Sequence, residues 1–148
     1  MERVRGLIIR EEYIRLILSG RKKWEIRRTN TRIRGTVALV SRGLLYGFVD
    51  IVDSFPVDVE ELKRRVDMHA VPPSFVEEYS GGRRVLYVWV VERPMPLPRP
   101  VPVAYARGAQ VWAQVSLGEV VSSLRAAGLE RVAEELVRRL KSHGRGRR

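Results

Sequence analysis

The segment GRKKWEIRRTNTRIRG, residues 20–35, carries the side chains of this chain best suited to bind an anion. Seven of its sixteen residues are Lys or Arg, and Glu25 is its only acid. Lysine is a compact cation that suits a phosphate, and arginine can bind phosphate or guanine with two hydrogen bonds. A carboxylate between cations stays ionised and can accept a hydrogen bond, for example from the amino group of cytosine. We therefore expect this segment to bind a nucleic acid or a nucleotide.

The spacing predicts which of these side chains meet. Side chains alternate between the two faces of a strand, so Lys23, Glu25 and Arg27 share one face of a strand predicted at residues 24–28. Lys22 precedes that strand at a turn, from which it can reach the same cleft. The alternative is that Glu25 and Arg27 form a purely structural ion pair.

The strand is followed by a polar loop that is too rich in Arg, Thr and Asn to be core. Its arginines are suited to phosphate contacts along a nucleic-acid backbone, although a solvated loop would look the same. Trp24 can stack on a base, and a place in the core is equally open. The candidate nucleic-acid-binding residues are Lys22, Lys23, Trp24, Glu25, Arg27, Arg28, Arg32 and Arg34.

The net charge of +11 is concentrated at the two ends of the chain. Residues 1–35 hold eleven cations and four acids, residues 36–140 hold thirteen of each, and residues 141–148 hold four cations. Phosphates neutralised by Lys and Arg release counterions, so this clustering favours a polyanionic partner such as RNA. A solvated basic face without a partner is the alternative.

Several other chemistries have little support. The chain has no Cys, and His69 and His143 lack the spacing of zinc ligands, so we expect no metal and no cofactor. Asp50 and Asp53 lie close together without a motif for a two-metal or two-carboxylate site. No apolar run approaches the length of a membrane helix, and the N-terminus does not look like a signal peptide. We expect a cytoplasmic protein, and the scarcity of Asn, Gln and Cys favours a thermophilic source.

The surrounding pattern predicts short strands and helices in alternation. Hydrophobic alternation and turn residues place strands at residues 4–10, 24–28, 36–41, 44–52, 84–92 and 108–116. Helical spacing, with Asp58 as an N-cap, places helices at residues 11–20, 58–66, 72–79, 117–128 and 129–142. These elements predict an α+β fold, a small β-barrel with short flanking helices and a C-terminal helical extension. We expect residues 1–116 to form the barrel domain, and residues 117–148 to add two helices and a basic tail.

Proline occupies every second position from Pro94 to Pro102. Proline lacks an N–H, so we expect this segment to be extended and polyproline-like, without regular sheet bonds. A rigid strap across the barrel is the favoured interpretation. A recognition motif for a partner protein, acting with the last helix, is the alternative.

The stretch LILSGRKKWEIRR resembles the signature of ASCH domains, a branch of the PUA-like superfamily. That signature, Gly-x-Lys-x-x-Glu-x-Arg, falls on Gly20, Lys22, Glu25 and Arg27. The run PVPVAYARGAQVWAQV is similar to the ending of this family, so the resemblance covers residues 1 to about 116. It implies a small PUA-like barrel with a cleft lined by the signature, which binds RNA or a modified nucleotide.

The resemblance also implies an enzymatic alternative. One bacterial branch removes acetyl from N4-acetylcytidine with a Lys, a Thr and a Glu, and other members are ribonucleases that use Lys with Tyr or Ser. The Lys aligns with Lys22, but the position of the Thr is taken by Glu25, which removes the hydroxyl nucleophile. In this alternative Lys22 and Glu25 are catalytic, with Lys22 as base or nucleophile activator and Glu25 as its partner.

Overall fold

A computed structural model describes the backbone of residues 2–146 and the side chains of residues 2–142. The side chains of the predicted basic tail, residues 144–148, therefore lie outside the described residues. Six strands are present: β1 (Arg3–Ile8), β2 (Trp24–Arg27), β3 (Gly35–Ser41), β4 (Leu44–Asp58), β5 (Val85–Pro102) and β6 (Trp112–Ser116). The helices are α1 (Glu11–Leu18), α2 (Val59–Lys63), α3 (Val66–His69), α4 (Pro73–Ser80), α5 (Leu117–Ala126) and α6 (Glu130–Gly146).

The strands form one six-stranded sheet in the order β2-β5-β4-β3-β1-β6. Only β1 and β3 run parallel, and the other neighbours are antiparallel. The α+β class is confirmed, but the closed barrel is wrong because the sheet is open. Its two edge strands, β2 and β6, have four and five residues and lie at opposite ends of the order, so the sheet has two free edges.

The proline segment is part of the sheet, which corrects the expectation of a separate strap. β5 continues through all five prolines, and Gly47 pairs with Pro96 while Leu44 pairs with Pro102 of β5. Successive backbone groups of a strand point to opposite edges, so proline at every second position leaves the N–H groups of one edge intact. The register with β4 shifts between Leu45, which pairs with Val101, and Gly47, which pairs with Pro96. The prolines lie beyond the part of β5 that pairs with β2, which ends at Trp24↔Val90.

The helices cover the sheet and complete its core. Ile14 and Ile17 of α1 are buried with Trp89, which confirms that Trp89 is a core residue. Leu124 of α5 and Leu136 of α6 are fully buried in the same cluster as strand residues. The two C-terminal helices thus pack on the sheet, while the domain boundary at residue 116 stays a prediction.

Asp50 ties α6 to the sheet. Its carboxylate is fully buried and accepts hydrogen bonds from Thr36, Arg93 and Arg139, at 2.6, 2.7 and 2.7 Å. Burial pushes the pKa of Asp50 upward, but these three donors outweigh it and lower the pKa to about 2. Arg93 reaches the carboxylate from a left-handed backbone conformation, with φ of 53°, where β5 bulges against β4.

Two negative findings apply to the described residues only. Within residues 2–146, no helix is long and apolar enough to span a membrane. Over the same stretch, no group of three or more His, Asp or Glu side chains is arranged to hold a metal ion.

Candidate functional site

Lys22 is turned into the protein by the loop that follows α1. The helix ends at Leu18, Gly20 adopts a φ of 83°, and the N–H groups of Arg21 and Lys22 both donate to the carbonyl of Leu16. Glycine tolerates this left-handed conformation, which explains Gly20 in the signature. The Lys22 side chain is 2% exposed, and its Nζ donates to the carbonyl oxygen of His69 at 2.7 Å.

Glu25 lies between the two other charged groups of the signature. One carboxylate oxygen is 3.7 Å from Lys22 Nζ, and the other accepts a hydrogen bond from Arg27 Nε at 2.7 Å. Arg27 also donates to the carbonyl of Ile8 at 3.1 Å and lies over the ring of Trp89. The side chains of Lys22, Glu25 and Arg27 therefore converge. Glu25 and Arg27 form the structural ion pair of the alternative interpretation, and all three also line the cleft described below.

The environment alters the proton affinity of Lys22. Burial lowers the pKa of Lys22, and the nearby Glu25 carboxylate offsets only part of that effect. The ring of Tyr13 lies 5.3 Å from Lys22 Nζ, and burial raises the pKa of Tyr13. The pKa of Lys22 is thus lower than that of an exposed lysine. Shifted pKa values of this kind are common at functional sites.

The ring of His69 holds in place the His69 carbonyl that accepts the hydrogen bond from Lys22. The N–H of Val71 donates to its Nδ1 at 3.1 Å, so Nε2 carries the proton and donates to the carbonyl of Leu62 at 2.5 Å. The ring is fully buried, and burial lowers the pKa of His69, which keeps it neutral. Its two hydrogen bonds hold the segment after α3 against α2.

These residues form one side of an open cleft of about 590 Å³, which we call the signature cleft. Three aromatic rings form another part of its lining, which we call the aromatic wall: the rings of Tyr13 and Phe75 meet edge to face at 6.0 Å, and those of Phe75 and Tyr79 are nearly parallel at 5.8 Å. Arg28 lies 4.4 Å from the centre of the Tyr79 ring and donates to the Tyr79 carbonyl. The lining residues are Ile8, Ile9, Arg10, Tyr13, Lys22, Glu25, Ile26, Arg27, Arg28, Val71, Phe75, Glu78 and Tyr79.

The other predicted residues lie outside this cleft. Trp24 packs edge to face on Phe55, with Arg65 over its ring, so it is engaged in a structural cluster. Lys23 and Arg32 are exposed. Arg34 donates to Ser54 Oγ at 2.9 Å and lines a different groove. Of the eight candidates, the structure thus brings together Lys22, Glu25, Arg27 and Arg28.

Sequence reasoning missed the aromatic wall and Arg10. Phe75 and Tyr79 are four residues apart on α4, so they share one face of that helix. That spacing was available in the sequence, but the contact with Tyr13 and Arg28 depends on how α4 docks. Among the described lining residues no Ser, Thr or Cys occurs, and the only hydroxyl groups are those of Tyr13 and Tyr79.

Comparisons with known proteins agree with this fold. A family model described as "ASCH domain" matches residues 7–97, a range that includes the signature. The solved structure of ASCH from Zymomonas mobilis is 17% identical, with a TM-score of 0.67, over 82% of this chain and 93% of that chain. Two mutants of that protein align at 17% and 18% identity with TM-scores of 0.65 and 0.60, covering 82% and 68% of this chain and 94% and 76% of theirs. A comparison with curated proteins gave no match.

Proposed function

We propose that this chain, which belongs to the ASCH domain family, binds RNA by holding one nucleotide in the signature cleft. The observation that carries this proposal is that the aromatic wall, the buried Lys22 and Glu25, and the partly buried Arg27 all line one cleft open to solvent. Single-stranded RNA is recognised mainly by stacking an unpaired base on aromatic rings and bonding its edge. The signature cleft offers both kinds of contact.

The base is assigned to the aromatic wall. Phe75 and Tyr79 are half-buried, so part of each ring faces the cleft. The Glu25 oxygen that lies 3.7 Å from Lys22 is not in a short hydrogen bond with it. That oxygen can accept a hydrogen bond from an exocyclic amino group, as carboxylates do from cytosine.

The phosphate is assigned to the rim. Arg10 and Arg28 are exposed and line the cleft, whereas Lys22 is buried and Arg27 is partly buried. The lining residues comprise four cations against the two carboxylates of Glu25 and Glu78, so the site has an excess of positive charge. An anionic backbone is therefore attracted to the rim while the base occupies the interior.

The test uses the rim and the wall, which are separate from the buried ion pairs. We expect Arg10→Gln with Arg28→Gln, and Phe75→Leu by itself, to weaken binding of a short single-stranded RNA in fluorescence anisotropy. The double variant should also reduce the salt dependence of binding, because two phosphate contacts are lost. Arg84→Gln with Arg107→Gln is the charge-matched control. If the Arg10/Arg28 double variant and Phe75→Leu both bind RNA as the wild type and the control do, the proposal is wrong.

A second candidate function is cleavage of RNA, which is favoured by the proximity of Lys22 and Tyr13. In that reaction the 2′-hydroxyl of the substrate gives up its proton and attacks the adjacent phosphorus, and the 5′-oxygen leaves with a proton. The substrate supplies the nucleophile, so the lack of Ser, Thr and Cys among the described lining residues is no obstacle. An amidohydrolase with a Thr nucleophile finds less support for the same reason.

A measurement of RNA cleavage distinguishes RNA binding from the ribonuclease function. Lys22→Met and Tyr13→Phe preserve much of the side-chain volume and remove the groups that would exchange protons. If the chain is a ribonuclease, each variant loses cleavage of single-stranded RNA at least tenfold while Arg84→Gln does not. Cleavage that persists in both variants contradicts this second function, and binding without cleavage in the wild type supports the first.

A further inference from the structure

A second cationic groove lies between the N-terminal strand and the C-terminal helix. It has a volume of about 450 Å³, and it is lined by Arg3, Arg5, Arg34 and Lys141 beside the single acid Glu2. Apolar side chains form the rest of its walls, including Val137 and Leu140 of α6. We call it the β1–α6 groove.

The sheet and the helix place these cations together. Arg3 and Arg5 lie on one face of β1 and are exposed, while Val4 between them is buried. β1 pairs with β6 through Arg3↔Ser116, and the N–H of Leu117 donates to the carbonyl of Glu2, which fixes the end of the groove. Residues 98–148, which include α6, lie outside the range matched by the family model.

We propose that the β1–α6 groove binds the phosphates of the same single-stranded RNA whose nucleotide occupies the signature cleft. This inference rests on the proposed function and makes the ligand a strand of several nucleotides, not a free nucleotide. The groove adds residues of β1 and α6 to the RNA-binding surface.

Two connections join the groove to the signature cleft. β1 carries Arg5 in the groove and Ile8 in the cleft, which at the rise of a strand are about 10 Å apart. The loop from Arg28 to Arg34 runs from the cleft to the groove, with the exposed Arg32 between them. A backbone that leaves the cleft along the loop passes Arg32 before it reaches Arg34 in the groove.

Shape and charge favour a nucleic-acid strand over other anions. The cations lie in a recessed groove, which a flat anionic membrane surface cannot enter. The lining holds four cations and one acid, and Arg34 also lies 3.9 Å from Asp53 outside the lining, so an excess of positive charge remains that suits the regular charge of a phosphodiester backbone. The apolar walls provide room for sugars and bases between the phosphates.

The test compares the binding of a single-stranded RNA with the binding of single nucleotides. The triple variant Arg3→Gln, Arg5→Gln and Lys141→Gln is measured against Arg84→Gln, Arg107→Gln and Arg131→Gln, which removes the same charge from positions that line neither the groove nor the signature cleft. The ligands are the four ribonucleoside monophosphates and a mixed single-stranded RNA of about ten nucleotides. Because the changed residues are exposed, circular dichroism and thermal unfolding should match the wild type.

We expect the triple variant to lose affinity for the long RNA by roughly tenfold or more relative to the control, and its salt slope to fall by about 2, at about 0.7 per phosphate. Monophosphate binding should be unchanged. Equal losses in the triple variant and the control overturn the groove, and so does a parallel loss of monophosphate binding. If Arg10→Gln with Arg28→Gln leaves long-RNA binding intact while the triple variant abolishes it, the proposed function is wrong. The inference that one RNA strand occupies both the groove and the signature cleft is then wrong as well.

Discussion

Lys22 Nζ donates a hydrogen bond to the carbonyl oxygen of His69 at 2.7 Å, although the two residues are 47 positions apart in sequence. This bond connects the turn after α1 with the end of α3, where Ala70 adopts a φ of 61°. It directs the ammonium group toward Glu25 and away from solvent. The position of the signature lysine thus depends on a helix that the signature does not include.

Glu25→Gln is expected to destabilise the protein strongly. The change leaves Lys22 buried without its counter-charge and takes the carboxylate away from Arg27. Removing one partner of a buried ion pair typically costs about 3–5 kcal/mol. The free energy of unfolding in urea measures this loss.

An exposed ion pair provides the control for that experiment. Glu135→Gln breaks the pair with Arg138, whose side chains are 66% exposed for Arg138 and 47% for Glu135, and should cost about 1 kcal/mol or less. Similar losses in Glu25→Gln and Glu135→Gln would contradict a buried charge cluster at the signature.

His69 is expected to make stability depend on pH below its ordinary pKa. Burial lowers the pKa of His69 in the folded state, so the unfolded chain binds the proton more readily. Stability should therefore fall as pH decreases from about 6.5, the ordinary histidine value, toward the lower folded value. Urea unfolding between pH 7 and pH 5 measures the slope. A His69→Gln variant should be less stable at pH 7 and lack this slope, and an unchanged slope would assign it to other groups.

The proximity of Lys22, Glu25 and Arg27 was predicted from the sequence because a local turn and the alternation of one strand bring them together, whereas the His69 carbonyl that holds Lys22 could not be foreseen. The aromatic wall did not, since Phe75 and Tyr79 reach the cleft only through the docking of α4. The closed barrel was wrong for a related reason: strand patterns do not reveal whether the two edge strands meet. The length of β5 was missed because proline was expected to end regular pairing, whereas β5 pairs with β4 again at Val101 and Pro102, beyond the first four prolines.

Asp50 is expected to stabilise the fold at neutral pH and to lose this effect in acid. Its pKa is lowered to about 2, so the contribution is complete above about 3.8, the ordinary value, and is lost as pH falls toward 2. The shift corresponds to about 2 kcal/mol. Asp50→Asn should be less stable at pH 7 and should flatten the fall of stability between pH 4 and pH 2. Asp53→Asn, an exposed neighbour, should keep the wild-type profile.

At Gly47, β4 lies close to the proline-containing part of β5. A Cβ at this position would lie 2.6 Å from the carbonyl oxygen of Met95 and 2.9 Å from the Leu18 side chain, and the first of these atoms is backbone that cannot easily move. Gly47→Ala should therefore destabilise the protein by roughly 1–3 kcal/mol, as overpacking does. Gly118→Ala in α5 is the control, because its nearest neighbour is 3.6 Å away and alanine favours a helix. Thermal unfolding should show a lower Tm for the first variant and an equal or higher Tm for the second. An unchanged Tm in Gly47→Ala would mean that β4 and β5 can separate here, and the path of the proline segment along the sheet would have to be revised.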